Sequence, residues 1–255
     1  PQAAIHLFRR RGAEDGGAAG TQPGLGGQRI AAGQPAGTID QRGGGRLARL
    51  RAALGLGIGV QDPALRPVAV VGAGWISQEA FLPSVSQSGN SCVTAIVSGD
   101  SAKANKLAAF YGIPHVVDYD EYDSLLARDI VDAVYIALPN SMHADYAIRA
   151  ARAGKHVMVE KPLANTVAEA EAMIAAAREA GVFLMTAYRL HNEPGTLAVL
   201  NRIRDGAIGR PLIFQSVFSF QTQPGNHRLK AHHWGGPLQD VGVYCLNAAR
   251  HIFGE

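Results

Sequence analysis

Cysteine is scarce in this chain: Cys92 and Cys245 are the only two among 255 residues. They lie far apart and outside any Cys-x-x-Cys or Cys/His spacing, which excludes a disulfide framework and a zinc site and leaves both to be read as buried apolar side chains. Charge of one sign is also missing. The 24 basic and 21 acidic side chains nearly cancel to a net +3, so no large field exists to hold nucleic acid or an anionic membrane, and a small-molecule partner is expected. No run approaches the roughly 20 apolar residues that cross a bilayer. Arg46 to Arg51 followed by Ala52 to Val60 has the charged-then-apolar shape of an export signal, but it lies far from the first residue. The expected compartment is therefore the cytoplasm, with periplasmic export as the alternative.

What is present is a chain longer than one typical domain, with 47% hydrophobic residues to build a core. Half of its 30 glycines precede residue 61, mixed with Gln, Ala and Arg and lacking hydrophobic periodicity. Such a composition does not offset the entropy of ordering. Residues 1–66 are read as a disordered or non-native leader, the alternative being an extended arm against a partner subunit.

From Pro67 short β-branched runs alternate with segments of helical period. Strands are expected at Val68 to Gly72, Val93 to Ser98, His115 to Tyr119, Ala133 to Leu138, His156 to Glu160 and Phe183 to Ala187. Helices are expected at Ile76 to Gln87, Ala102 to Tyr111, Asp120 to Ala127, Met142 to Ala153 and Val167 to Ala180, the last opened by a Thr166/Glu169 capping box. Apolar strands separated by helices describe an α/β fold with a parallel, doubly wound sheet over 67–188. Residues 189–255 then open a second, α+β substrate domain with a helix at Thr196 to Arg204, a strand at Leu212 to Phe220 and an apolar helix from Pro237 to Phe253. With one or two strands visible after Ala187, this domain reads as the start of an open antiparallel-type sheet, cut short.

Gly72, Gly74 and Ser77 occupy the Gly-x-Gly-x-x-Gly positions between the first strand and the first helix, with serine in the third. The first glycine permits the tight turn, and the second lets backbone approach a pyrophosphate at the helix start. The second strand ends Val97-Ser98-Gly99 without the acidic residue that binds a ribose 2′-hydroxyl. Ser98 can donate to a 2′-phosphate and Lys103 can neutralise it, which favours NADP over NAD. Asp100 keeps NAD open if the loop turns differently.

The sequence resembles the Gfo/Idh/MocA family, nearest its glucose-fructose oxidoreductase and NADP aldose dehydrogenase branch. The residues that carry the resemblance are the Gly72 turn, Leu138-Pro139-Asn140 with His143, Ala153 to Val157 leading into Glu160-Lys161-Pro162, and Asp240-Val241-Gly242-Val243-Tyr244. Besides Gly72, Gly74, Ser98 and Lys103, the resemblance implies a cofactor lying against Trp75, Ile76, Leu138, Pro139, Asn140, His143, Glu160, Lys161 and Arg189. It implies a substrate against Lys161, Trp234, Asp240 and Tyr244, and a homo-oligomer for the full-length protein. His191 resembles a site-facing position as well, whereas His227, His232 and His233 read as a solvated loop with no metal.

On one helix, Asp240, Tyr244 and Asn247 share a face, and polar groups on an otherwise apolar helix need partners such as a polyhydroxylated substrate. A free phenol, with a pKa of about 10, is a poor base. A lysine ammonium about 4 Å away would favour the phenolate by on the order of 4 kcal/mol at an effective dielectric of 20. Tyr244 is thus expected to remove a hydroxyl proton beside Lys161, with Asp240 orienting an aldose or cyclic polyol for hydride transfer to the nicotinamide. A non-catalytic NADP or sugar sensor of the same fold, and an inactive fragment, are the competing readings.

Overall fold

The computed structural model describes residues 65–85 and 87–254, together with the backbone of the strand β1 (Ala4–Leu7). Six strands form one sheet: β2 (Arg66–Val71), β3 (Ser91–Val97), β4 (His115–Val117), β5 (Ala133–Ile136), β6 (His156–Val159) and β7 (Leu184–Thr186). Their order is β4-β3-β2-β5-β6-β7 and every pairing is parallel. Each expected strand is found, ending one or two residues before its expected C-terminal end. The chain winds outward from β2 in both directions, so the strand ends of β2 and β5 flank the reversal point where open α/β sheets bind ligands.

Alternation along the strands supplies two cores. Ala69 and Val71 face one side with Val134, Ile136, Val157 and Val159, against Ala147, Ala150 and Ala151 of α4 (His143–Arg152) and Met173, Ala176 and Ala177 of α5 (Val167–Glu179). Val68 and Val70 face the other with Ile96 and Tyr135, against Leu82 of α1 (Leu82–Val85) and Ala104 and Ala108 of α2 (Ser101–Tyr111). A strand covered on both faces has no room for polar side chains, which is why these runs are continuously apolar. Among the described residues no helix is long and apolar enough to cross a membrane.

Three departures from expectation have local causes. The helix expected over Ile76 to Gln87 is a π-helical turn, Ser77–Phe81, that passes into α1. Pro83 lacks an N–H and cannot continue an α-helical ladder, and the wider turn sits just before it. At the start of α5, Thr166 Oγ1 accepts from Glu169 N at 3.2 Å, but the Glu169 carboxylate accepts from Asn165 N at 2.9 Å rather than from the Thr166 amide, so the box is open on one side. Cys92 and Cys245 are half-buried rather than buried, and Ser216 Oγ lies 2.8 Å from Cys245 Sγ.

After α3 (Tyr122–Leu126) and the paired α4 and α5, the second part of the chain contains α6 (Pro194–Arg204), β8 (Phe214–Val217) and α7 (Val243–Phe253), the last entered through a π-helical turn, Leu238–Gly242. α6 begins two residues before the expected start, because the Glu193 carboxylate caps Gly195 N at 2.9 Å and Thr196 N at 2.6 Å with Pro194 in the first turn. β1 and β8 pair antiparallel from Ala4/Val217 to Leu7/Phe214. Apart from β1, Leu65 and Arg66, the expected leader lies outside the described residues.

His143, the first residue of α4, is 1% exposed. Its Nδ1 lies 2.8 Å from Pro162 O and its Nε2 3.0 Å from Leu138 O. The sequence placed it against a cofactor; it is instead a strut joining the loops that follow β5 and β6. Burial holds its pKa below the usual histidine value, although the two carbonyls and Glu160 pull upward.

Two stability predictions arise. Ala150→Leu, fully buried against α5, should cost about 1–3 kcal/mol by overpacking, seen as a lower urea midpoint with an unchanged slope. The unfolded chain takes up a proton at His143 near pH 6.5, while the folded chain resists it. Stability should therefore fall as pH drops below that value, and the contribution should vanish in His143→Gln when unfolding midpoints are followed from pH 8 to pH 5, about the window in which histidine titrates.

Candidate active site

The glycine turn follows β2. Gly72 has φ +100°, and a Cβ there would lie 2.6 Å from Ala137 O, so neither the conformation nor the space admits a side chain. Ser77, fully buried, donates its hydroxyl to Gly72 O at 2.6 Å and closes the turn from below, the packing role expected of the third glycine. Above Gly74 the nearest atom to a Cβ is 4.0 Å away, which leaves its backbone open to a ligand. Gly74, Trp75 and Ile76 line a cleft of about 870 Å³ that also reaches Leu138, Asn140, Glu160, Lys161, Arg189, Asp240 and Tyr244. Pro139 precedes the short turn Asn140–Met142 and accepts from Met142 N at 2.9 Å.

At the end of β3 the acidic alternative is already engaged. Asp100 caps α2 by accepting from Lys103 N at 2.9 Å and pairs with Lys103 Nζ at 3.4 Å. That backbone bond foremost, with the ammonium's help, holds its carboxyl below the usual range. Ser98 is nearly buried and its Oγ accepts from Asp100 N at 3.2 Å, so it shapes this turn. An open glycine backbone, a helix start and an Asp100 paired with Lys103 fit a dinucleotide.

Beyond the carboxyl end of β6 stand Glu160 and Lys161, the latter joined to Pro162 by a cis peptide. Glu160 is fixed at both oxygens: Tyr135 Oη donates to Oε1 at 2.6 Å and Lys161 N to Oε2 at 3.2 Å. The Lys161 ammonium crosses to the second part of the chain, where it donates to Asp240 O at 2.7 Å and to Asp240 Oδ1 at 2.8 Å. The side chains of this pair are only 12% and 14% exposed. Asp240 Oδ2 is taken by Arg228 Nε at 2.9 Å.

Lys161 Nζ also lies 5.1 Å from the centroid of the Tyr244 ring, over the π face and not at the phenol oxygen. This overturns the electrostatic expectation for Tyr244. Burial pushes its pKa up, the Glu160 and Asp240 carboxylates add to that, and the nearby Arg189 guanidinium opposes them. The phenol holds its proton. Tyr188 and Phe218 pack against the same ring at 5.3 Å each.

Asn247 does not join Asp240 and Tyr244. Tyr244 and Asn247 both follow the π-helical turn over Leu238–Gly242 and stand three residues apart on α7, so about 60° of helical rotation separates their side chains. Asn247 Oδ1 instead meets His191 Nε2 at 3.0 Å, and His251 Nε2 lies 3.2 Å from the same His191 atom. Trp234 contributes main chain: its carbonyl accepts from Asn140 Nδ2 at 3.2 Å, and its φ of +55° is the left-handed conformation glycine favours. His227, His232 and His233 lie in the short turns His227–Leu229 and Ala231–His233; His232 is exposed as expected, whereas His227 and His233 are half-buried and His227 lines the cleft. Sequence reasoning missed Tyr135, Tyr188 and Arg228. Tyr135 sits in an apolar strand and stacks on Phe81 at 3.8 Å, and nothing in its spacing announces the bond to Glu160.

Comparison with known proteins agrees with this geometry. The model of an oxidoreductase family with an NAD-binding Rossmann fold matches residues 66–188, and a GFO/IDH/MocA C-terminal domain matches 196–255. A D-xylose 1-dehydrogenase [NADP(+)] of Haloarcula marismortui is 35% identical over 192 residues, 72% of this chain and 53% of the relative. A dTDP-3,4-didehydro-2,6-dideoxy-alpha-D-glucose 3-reductase of Actinomadura kijaniata is 37% identical over 188 residues, 73% and 56% of the two chains. Among solved structures, the aldose-aldose oxidoreductase of Caulobacter crescentus complexed with glycerol superposes with a TM-score of 0.68 at 38% identity, covering 75% of this chain and 58% of that one. A 3-ketoreductase from Actinomadura kijaniata in complex with NADP and TDP-benzene gives 0.70 at 37%, covering 74% and 58%. The chain spans about half the length of the curated relatives it matches. With both parts of the chain matched, the chain belongs to the Gfo/Idh/MocA oxidoreductase family.

Proposed function

We propose that this chain carries the cofactor site and catalytic centre of an NADP-dependent oxidoreductase acting on a CH–OH or C=O carbon of a sugar or cyclic polyol. The observation that carries the proposal is the convergence of Lys161 and Tyr244, from separate parts of the chain, at one cleft that reaches the glycine turn. NADP is supported by the neutralised Asp100, by Lys103 beside it, and by relatives that are NADP enzymes or bind NADP in their crystals. A sugar is supported by the same relatives' substrates.

When bound, NADP supplies the hydride donor or acceptor at C4 of its nicotinamide ring. An ammonium has three N–H groups; Asp240 takes two from Lys161, and the third is left to hold the substrate oxygen. Tyr244, kept protonated by burial, donates its proton to that oxygen during carbonyl reduction and becomes a phenolate; in the oxidation direction only the ionised form of Tyr244 accepts the hydroxyl proton. Glu160, pinned by Tyr135, lines the cleft beside them without competing for the reacting oxygen. Asp240, with both oxygens engaged, serves as counter-ion to Lys161 rather than as a free acceptor for sugar hydroxyls.

Turnover should be visible as a change in reduced-nicotinamide absorbance when a panel of aldoses, ketosugars and inositols is offered with NADP or NADPH. Tyr244→Phe should lower kcat by about 10²–10⁴ while NADP still binds, and binding by the unaltered protein with no turnover on any sugar would point to a sensor. For the reduction direction the rate should stay level until pH exceeds about 10, where an ordinary tyrosine ionises, because the acid form is the active one. Lys103→Glu should weaken NADP by about 10- to 100-fold and leave NAD little changed in tryptophan-fluorescence titrations.

A further inference from the structure

We propose that Arg228 is a positioning residue for Lys161, acting through the Asp240 carboxylate, so that the one uncommitted N–H of the ammonium is aimed at the reacting oxygen. This rests on the reading that Lys161 contacts that oxygen. A lysine side chain is a flexible four-carbon stem, and a carboxylate turns easily about its last bond. Neither holds the other in one orientation by itself. Arg228 Nε on Asp240 Oδ2, opposite Lys161 Nζ on Oδ1, gives each carboxylate oxygen its own cation and fixes the plane between them.

Arg228 is itself held from its backbone. Its amide donates to Asn226 Oδ1 at 3.0 Å within the turn His227–Leu229. The loop returns so closely at Gly235 that a Cβ there would collide with Arg228 O, and Gly235 N donates to Lys230 O at 3.1 Å. A planar guanidinium also keeps its fork in one orientation, as a lysine at the same place would not. The chain of contacts runs from a tight loop through Arg228 and Asp240 to Lys161, with the three side chains 29%, 14% and 12% exposed.

The test uses Arg228→Gln and Arg228→Lys with two independent measurements. In the first, lysines are acetylated briefly with acetic anhydride and quantified by mass spectrometry. Released from a fixed carboxylate, Lys161 should label about fivefold faster in R228Q as its tethered population falls, with exposed Lys103 and Lys106 unchanged as internal controls of folding, and R228K should lie between. In the second, R228Q should lower kcat about tenfold with KM moved less than about twofold, the pattern of a lost transition-state interaction. Unchanged Lys161 labelling in both variants overturns the proposal whether or not the protein turns over. A raised KM with kcat and labelling unchanged would overturn it too and make Arg228 a substrate ligand. Faster Lys161 labelling in a protein that turns over no sugar would sustain the arrangement while removing the oxidoreductase reading.

Discussion

An ammonium shielded from water is tolerable only against an anion that cannot move away, and the site is organised around that constraint. Lys161 reaches Asp240 across a sequence separation of 79 residues and bonds both its carboxylate and its main-chain carbonyl. The lysine is placed by the parallel sheet, since it follows β6 at the edge where strands end. The aspartate is placed by a wide helical turn in the second part of the chain. Neither half builds this cluster alone, and their meeting leaves Tyr244 with a cation over its ring and carboxylates that disfavour its ionisation.

The state of that phenol follows from competition rather than from any single neighbour. Withdrawal from water and the negative charge of Glu160 both disfavour ionisation, and the Arg189 guanidinium opposes them without prevailing. Tyrosine is then a reservoir for a proton and not a base waiting for one. Burial of Tyr135 against Glu160 works in the same sense: its proton is shared with a carboxylate and its own pKa is driven well upward, by loss of solvent first and by that carboxylate second.

Much of this was legible in the residues. Six apolar runs were strands because a sheet covered on both faces leaves no polar positions, and the glycine turn was visible because Gly72 has no room for a Cβ. Glu160, Lys161, Asp240 and Tyr244 were found through a resemblance between motifs, and the cleft does gather them. What escaped were pairs with no sequence rhythm. Arg228 stands in a polar loop like any solvated cation, and only the folded chain brings it to Asp240. Asn247 was misplaced because a shared helix face is broad, and the partner that claims its side chain, His191, has no helical spacing to announce it. His143 was assigned to the cofactor because it travels with Leu138-Pro139-Asn140, yet its ring meets the carbonyls of Leu138 and Pro162.

The link between Asn140 and position 234 behaves differently from these. Because the amide grips a carbonyl, it is indifferent to the indole attached to the same residue. Evolution or design could exchange that side chain, and with it whatever it offers a ligand, without loosening the seam between the two halves. The backbone's own preference would steer such drift towards glycine or asparagine first, because either accepts a positive φ more readily than tryptophan does.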